Sequence, residues 1–407
     1  MFYKNILCNL VKDEKTIYLY SETKIREQCN KLLDSFQRCF SDFNNYYAVK
    51  ANSNPNLIKI ILESGMGLDC SSLVELELGL SLVGSERIIY TSNYTSKEEL
   101  RRCVESGVRI NLDDYSLIDD LRVVCEEMGV SYPEFLYLRV NPGMGRTDSG
   151  VVSNVLGGEG SKFGIPYTRL KDSIELCKSY GCKSLGLHVM TGSNILDIEY
   201  YFSLIERIGE IIKEVKEEFV EINLGGGLGI PYKENEMEID LDDLVEGIKN
   251  RVDLLKVNSG HKIKIVMENG RYIMGQSGFL LSEVQVIKES FGKKFIGLNA
   301  CMSNLMRPGM YNAYHKIINF SNDDSELEEY QIVGNLCENN DWFGRDRVLQ
   351  KTKVGDIIMI LDVGAHSYSM GFQYNGKLRC SEYLMNNEGC KKIRRKETIE
   401  DYLITIV

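Results

Sequence analysis

The sequence has no apolar run approaching the roughly 20 residues of a membrane span. Its start, Met1-Phe2-Tyr3-Lys4-Asn5, has neither the apolar stretch nor the small-residue cleavage site of a secretory signal. Positive charge is not in excess either: 48 Lys and Arg face 59 Asp and Glu, a formal net charge of −11. Nucleic acid and anionic membrane both require a basic face, so neither is expected as a main partner, and a cytoplasmic location is. No C-x-x-C pair occurs among the 12 cysteines, and the closest two, Cys177 and Cys182, have the wrong spacing for a zinc knuckle or a redox dithiol. They read as reduced thiols acting as small hydrophobes. Only four histidines are present (His188, His261, His315 and His366), no two at a metal-ligand spacing, so no dedicated metal site is expected. Internal repeats and low-complexity tracts are missing too.

What is present is an alternation. Short apolar runs rich in β-branched and aromatic residues fall at Tyr46–Lys50, Leu68–Cys70, Ile88–Thr91, Ile110–Leu112, Leu136–Val140, Leu185–Val189, Ile222–Leu224 and Lys264–Met267. Amphipathic helical patterns separate them, at Pro55–Ser64, Leu73–Leu82, Lys97–Glu105, Leu117–Met128, Thr168–Tyr180, Glu199–Phe219 and Asp242–Leu255. Eight strands with helical crossovers imply a parallel sheet closed into a (β/α)8 TIM barrel, an α/β fold. After Gln276 the long helices stop. Runs at Phe279–Ile287, Phe295–Leu298, Tyr330–Val333, Asp356–Leu361 and Glu382–Leu384 predict a second, mostly antiparallel β-domain, which a strand at Ile17–Tyr20 joins. The expected division is a barrel over 36–278 and a β-domain from 1–35 plus 279–407. Asn319–Glu329 reads as an acidic loop, Lys391–Lys396 as a solvated basic surface, and Gly143–Gly160 as a long glycine-rich loop near the site.

Active sites of such barrels sit where the strands end. The first run ends in Lys50 between small alanines, a placement suited to a desolvated amine that captures a carbonyl, although one lysine at a strand end is more often plain surface. The seventh run leads into Gly225-Gly226-Gly227-Leu228-Gly229, where backbone N–H groups can approach a phosphate; alone, it is also an ordinary flexible turn. The eighth ends in Glu268-Asn269-Gly270-Arg271: the carboxylate suits a protonated pyridine nitrogen, and the guanidinium a carboxylate. The sixth ends in His188, which can stack on a flat ring, with Ser193 near a phosphate. A lone histidine is usually structural, so its reading depends on its neighbours.

Together these residues resemble the fold-type III pyridoxal-phosphate decarboxylases. The likeness is carried by Tyr46-Tyr47-Ala48-Val49-Lys50-Ala51-Asn52, Leu68-Asp69-Cys70-Ser71-Ser72, Ile222–Gly227 and Glu268–Arg271, then Leu305-Met306-Arg307-Pro308-Gly309-Met310-Tyr311, Leu336-Cys337-Glu338-Asn339-Asn340-Asp341 and Gly364-Ala365-His366-Ser367-Tyr368-Ser369-Met370. The resemblance implies pyridoxal 5'-phosphate bound to Lys50 as a Schiff base, Glu268 at the ring nitrogen and His188 on the ring. Asp69, Ser193, Gly225, Gly226, Gly227, Gly270 and Arg271 would complete the cofactor site. It further implies Arg271, Arg307 and Tyr311 on substrate carboxylates, Cys337 as the proton donor, and Glu338 on a distal amino group. Cys337 and Glu338 would come from the neighbouring subunit of a homodimer with shared sites. Two positions depart from the family pattern. His366 stands where many relatives have a tyrosine, leaving His366, Tyr368 or Tyr374 to reach the cofactor, and Asn269 replaces a frequent proline. The implied reaction is decarboxylation of meso-2,6-diaminopimelate to L-lysine, the last step of lysine biosynthesis. The alternative substrates are ornithine, lysine, arginine, carboxynorspermidine or a natural-product intermediate. A racemase would share the barrel, but no motif supplies its second base. An inactive homologue would have lost Lys50 or Cys337-Glu338, and both are intact.

Overall fold

The apolar runs become strands because, buried on both faces, they need no polar alternation. In the computed structural model, which describes residues 2–147, 155–259, 263–322 and 326–407, eight of them pair in chain order. They are Asn44–Ala48, Gly67–Cys70, Ile88–Thr91, Arg109–Leu112, Phe135–Asn141, Ser184–His188, Glu221–Asn223 and Lys264–Met267. Every pairing is parallel, and the last strand returns to the first through Val266↔Asn44 and Met267↔Asn45, closing the barrel. Crossover helices start where side-chain caps allow. Asn54 accepts from the Asn56 N–H ahead of Pro55–Glu63, Ser96 and Glu99 form a reciprocal capping box ahead of Lys97–Ser106, and Asp197 caps Ile198–Val215.

Inside the barrel, Tyr46, Ile89, Tyr137 and Val266 form a buried cluster. The fit is specific: a Cβ on Gly67 would lie 2.5 Å from the Tyr46 ring, and one on Gly186 2.3 Å from the Tyr137 ring. Large rings therefore fill the space that glycines on adjacent strands leave. The N-terminal strand ends carry charge instead. Arg109 Nη1 reaches both oxygens of the nearly buried Glu221 at 2.9 and 2.8 Å, Lys264 Nζ lies 3.4 Å away, and the Tyr137 hydroxyl donates to Glu221.

Contacts group the chain into two compact units, Arg26–Ile230 with Met237–Ile273, and Met1–Ile25 with Pro231–Glu236 and Met274–Val407. The second unit holds a nine-stranded mixed sheet. Thr16–Ser21 lies antiparallel to Gly278–Ser290 and parallel to Ser381–Asn386, while Lys293–Leu298 runs parallel to Leu327–Val333; the other pairings are antiparallel.

Several local expectations are corrected. The first barrel strand stops at Ala48, and Val49–Ala51 form a 3-10 turn, so Lys50 sits on a turn rather than within the strand. The basic run Lys391–Lys396 is not simply solvated: Gly389–Arg394 is a strand, Lys392 Nζ reaches Glu14 at 2.6 Å, and Arg394 pairs with the fully buried Glu382. Of the supposed acidic loop, Asn319 and Leu327–Glu329 belong to strands; residues 323–325 lie outside the described residues. Trp342–Gln350 is a further strand, hidden in the sequence because Arg345, Asp346 and Arg347 interrupt its apolar pattern. Among the described residues no helix is long and apolar enough to cross a membrane.

Candidate active site

The ends of barrel strands one, two, six, seven and eight bring the predicted barrel residues together. Lys50, on the turn after strand one, places Nζ 3.8 Å from Asp69 Oδ2 on strand two. Its side chain is 53% exposed, while that of Asp69 is buried. Burial, and then the negative charge of Glu268, push the Asp69 carboxyl well above the usual carboxylate range. Glu268 behaves in the opposite way. Burial pushes it up, but His188 and Lys50, with a hydrogen bond from Asn223, outweigh burial and hold it below its ordinary value. His188 Nε2 lies 3.1 Å from Glu268 Oε2, and Asn223 Nδ2 donates to Oε1 at 2.7 Å. The mouth thus contains one carboxylate biased toward its protonated form and one held ionised.

The glycine run does what only glycine can. Gly225 and Gly227 have φ of +66° and +102°, and a Cβ on Gly225 or Gly226 would lie 2.4 Å from Val189 O or 2.6 Å from Glu268 O. The Gly226 N–H rests on Met190 Sδ at 3.2 Å, a weak acceptor that a phosphate oxygen would displace. Gly270 is equally confined: its Cβ would meet Ala51 Cβ at 2.7 Å. Arg271 Nη2 lies 3.4 Å from Ser193 Oγ, joining the ends of strands six and eight.

These residues fit pyridoxal phosphate. The mouth offers a primary amine for its aldehyde, an ionised buried carboxylate for its ring nitrogen and a side-chain-free backbone cradle for its phosphate. Asp69 Oδ1 and His188 Nδ1 are also buried with no hydrogen-bond partner among the described residues, and buried polar atoms of that kind call for a ligand.

The remaining predicted residues lie in the other unit. Arg307, at the start of the short helix Arg307–Tyr311, donates through Nη1 to His315 Nε2 and to the Tyr232 hydroxyl, each at 3.0 Å. His315 Nδ1 lies 2.9 Å from Leu361 O, which fixes the tautomer that accepts from arginine. Cys337 is exposed, and its N–H donates to Asn375 Oδ1 at 2.8 Å, which puts the Cys337-Glu338 loop beside Tyr374. The buried Asp341 shapes that loop by accepting from the Met302 and Leu336 N–H groups. His366 is half-buried with φ of +54°. Tyr368 is committed elsewhere: guanidinium groups of Arg379 and Arg394 lie 4.0 and 5.0 Å from its ring, and Tyr18 meets its edge. Sequence reasoning missed Asn223, Arg139 paired with Asp113 at 2.8 Å, and the role of His315. Residues 148–154 of the Gly143–Gly160 loop, and His261, lie outside the described residues.

Residues 22–275 match a family model described as the pyridoxal-binding domain of pyridoxal-dependent decarboxylases. The diaminopimelate decarboxylase of Methanothermobacter thermautotrophicus is 35% identical, over 95% of this chain and 90% of the relative. Protein TabA of Pseudomonas amygdali pv. tabaci is 36% identical, over 95% of this chain and 89% of the relative. Among solved structures, diaminopimelate decarboxylase from M. jannaschii in complex with L-lysine superposes with a TM-score of 0.91 at 31% identity, covering 98% of this chain and 94% of that one.

Proposed function

The chain belongs to the pyridoxal-dependent decarboxylases, and we propose that it converts meso-2,6-diaminopimelate to L-lysine and carbon dioxide, the last step of lysine biosynthesis. The observation that carries the substrate assignment is Arg307. Held by His315 and Tyr232, its guanidinium has a fixed plane suited to a forked grip on a carboxylate. A distal carboxylate gives that grip a partner, which ornithine and arginine, with only the α-carboxylate, do not offer.

Bound pyridoxal phosphate supplies a sink for the electrons that the departing carboxylate leaves behind. Lys50 would hold it covalently through its amine, with Asp69, His188, Ser193, Gly225–Gly227, Gly270 and Arg271 around it. Glu268, held ionised, would keep a proton on the ring nitrogen, and His188 and Asn223 fix that carboxylate in place. Arg271, Arg307 and Tyr311 orient the substrate through its carboxylates. The Cys337 thiol delivers a proton to the carbon that lost carbon dioxide, and Glu338 takes the distal ammonium. In this reading Cys337 and Glu338 act in the site of a second copy, so the working unit is a homodimer, and His366 or Tyr374 lies against the cofactor. The cytoplasm is its compartment, where its twelve free thiols stay reduced.

A second reading keeps the machinery and changes the amino acid, to ornithine, lysine, arginine, carboxynorspermidine or a natural-product intermediate. It is kept because a relative of comparable identity, Protein TabA, does not carry the diaminopimelate decarboxylase name. Measuring kcat/KM for carbon dioxide release across these amino acids separates the two. Diaminopimelate should lead by at least about 100-fold, because a site built to bind a second carboxylate rejects substrates lacking one. A different leader would move the chain to that sister specificity.

A further inference from the structure

Two buried asparagines join the seam of the barrel to the glycine loop. Asn45, on strand one, and Asn269, just after strand eight, are 0% and 1% exposed. Asn45 Oδ1 accepts from the Asn269 backbone N–H at 2.8 Å and from Asn269 Nδ2 at 3.2 Å, and Asn45 Nδ2 donates back to Asn269 O at 3.2 Å. This exchange fixes which way the Asn269 amide faces. With Nδ2 turned to Asn45, Oδ1 is left to accept from the Leu228 N–H, at 3.2 Å.

Leu228 is part of a short ladder. It bridges Ile195 in parallel, the Ile195 N–H donates to Gly227 O at 2.9 Å, and the Gly229 N–H donates to Ile195 O at 2.9 Å. Asn194 Oδ1 accepts from the Ile230 N–H at 3.0 Å. The Ser193 turn and the Gly225–Gly227 turn are therefore one unit, and Asn269 ties it to the segment bearing Glu268 and Arg271. Burial makes the tie directional, since a flipped Asn269 amide would set two oxygens against each other and two donors against each other.

We propose that Asn269, oriented by Asn45, is a positioning residue that sets the phosphate cradle relative to Glu268, and so the cofactor's phosphate relative to its ring. The inference rests on reading Gly225–Gly227 and Ser193 as that cradle. A residue that merely closes the barrel would weaken every ligand of the mouth alike, whereas a cradle-setting residue acts only on ligands that carry the phosphate.

The test compares dissociation constants for pyridoxal phosphate and for pyridoxal, which has the same ring and aldehyde without the phosphate, in the native protein and in Asn269→Leu, by absorbance titration. The expected result is pyridoxal phosphate weakened by about tenfold and pyridoxal by less than about twofold, the loss of one buried hydrogen-bond partner acting on the phosphate side alone. Equal weakening of both, or of neither, would overturn the positioning role while leaving the cradle reading intact. A native protein that binds the two equally would overturn the cradle reading and the inference with it. Should Asn269→Leu fail to fold, Asn45→Ser removes the acceptor that orients Asn269, leaves the cradle residues unchanged and is read by the same ratio.

Discussion

At the scale of single residues, two carboxylates in the barrel mouth are driven apart in their protonation. Glu268 lies among His188, Asn223 and Lys50 and is held ionised against burial, whereas Asp69, penalised by burial and by the charge of Glu268, is driven toward its neutral form. Replacing Glu268 by Gln keeps the shape and removes the charge; kcat should fall by about 100-fold or more, measured as carbon dioxide release at saturating cofactor. His315→Ala acts differently. It removes the acceptor that orients Arg307, so KM for the dicarboxylic substrate should rise about tenfold with kcat within about twofold, as steady-state kinetics would show. The gathering of Lys50, Glu268, Arg271 and the glycine run at the barrel's strand ends was legible, because each follows directly on an apolar run. Asn223, His315 and Asn269 were not legible as partners, because an amide or imidazole shows its hydrogen-bond partner only once the chain has folded.

At the scale of elements, the eight barrel strands could be read from sequence because strands buried on both faces are continuous apolar runs; the structure places each within two residues of its expected start. Trp342–Gln350 and Gly389–Arg394 escaped because half-exposed strands carry charges that break the run. The barrel floor gives a stability prediction. Burial pushes the Glu221 carboxyl up, but Tyr137, Arg109 and Lys264 outweigh it and hold the group below its ordinary 4.5. A carboxyl that binds its proton less readily when folded stabilises the fold above the unfolded value, and that stability is lost as pH falls below 4.5 through the folded value. Glu221→Gln should cost about 3 kcal/mol in urea unfolding at pH 7, because it leaves Arg109 without its carboxylate partner, and the gap to the native protein should shrink on acidification below pH 4.5. An unchanged urea midpoint would show that the floor is not held by this group.

At the scale of the whole molecule, the proposed site draws Lys50 from one copy and Cys337 with Glu338 from another. Lys50→Ala and Cys337→Ala proteins should each be inactive. Unfolded together in equal amounts and refolded, they should regain about a quarter of native activity, since half of the dimers are mixed and each carries one intact site. No recovery in a refolded mixture shown to be dimeric would place both residues in the same chain's site. The most direct measurement of all is where the cofactor becomes attached. The protein loaded with pyridoxal phosphate is reduced with borohydride, which makes an amine–cofactor link permanent, then digested and mapped by mass spectrometry. The expected result is a single labelled peptide containing Lys50, absent from Lys50→Ala. A label on any other lysine, or none, would contradict it.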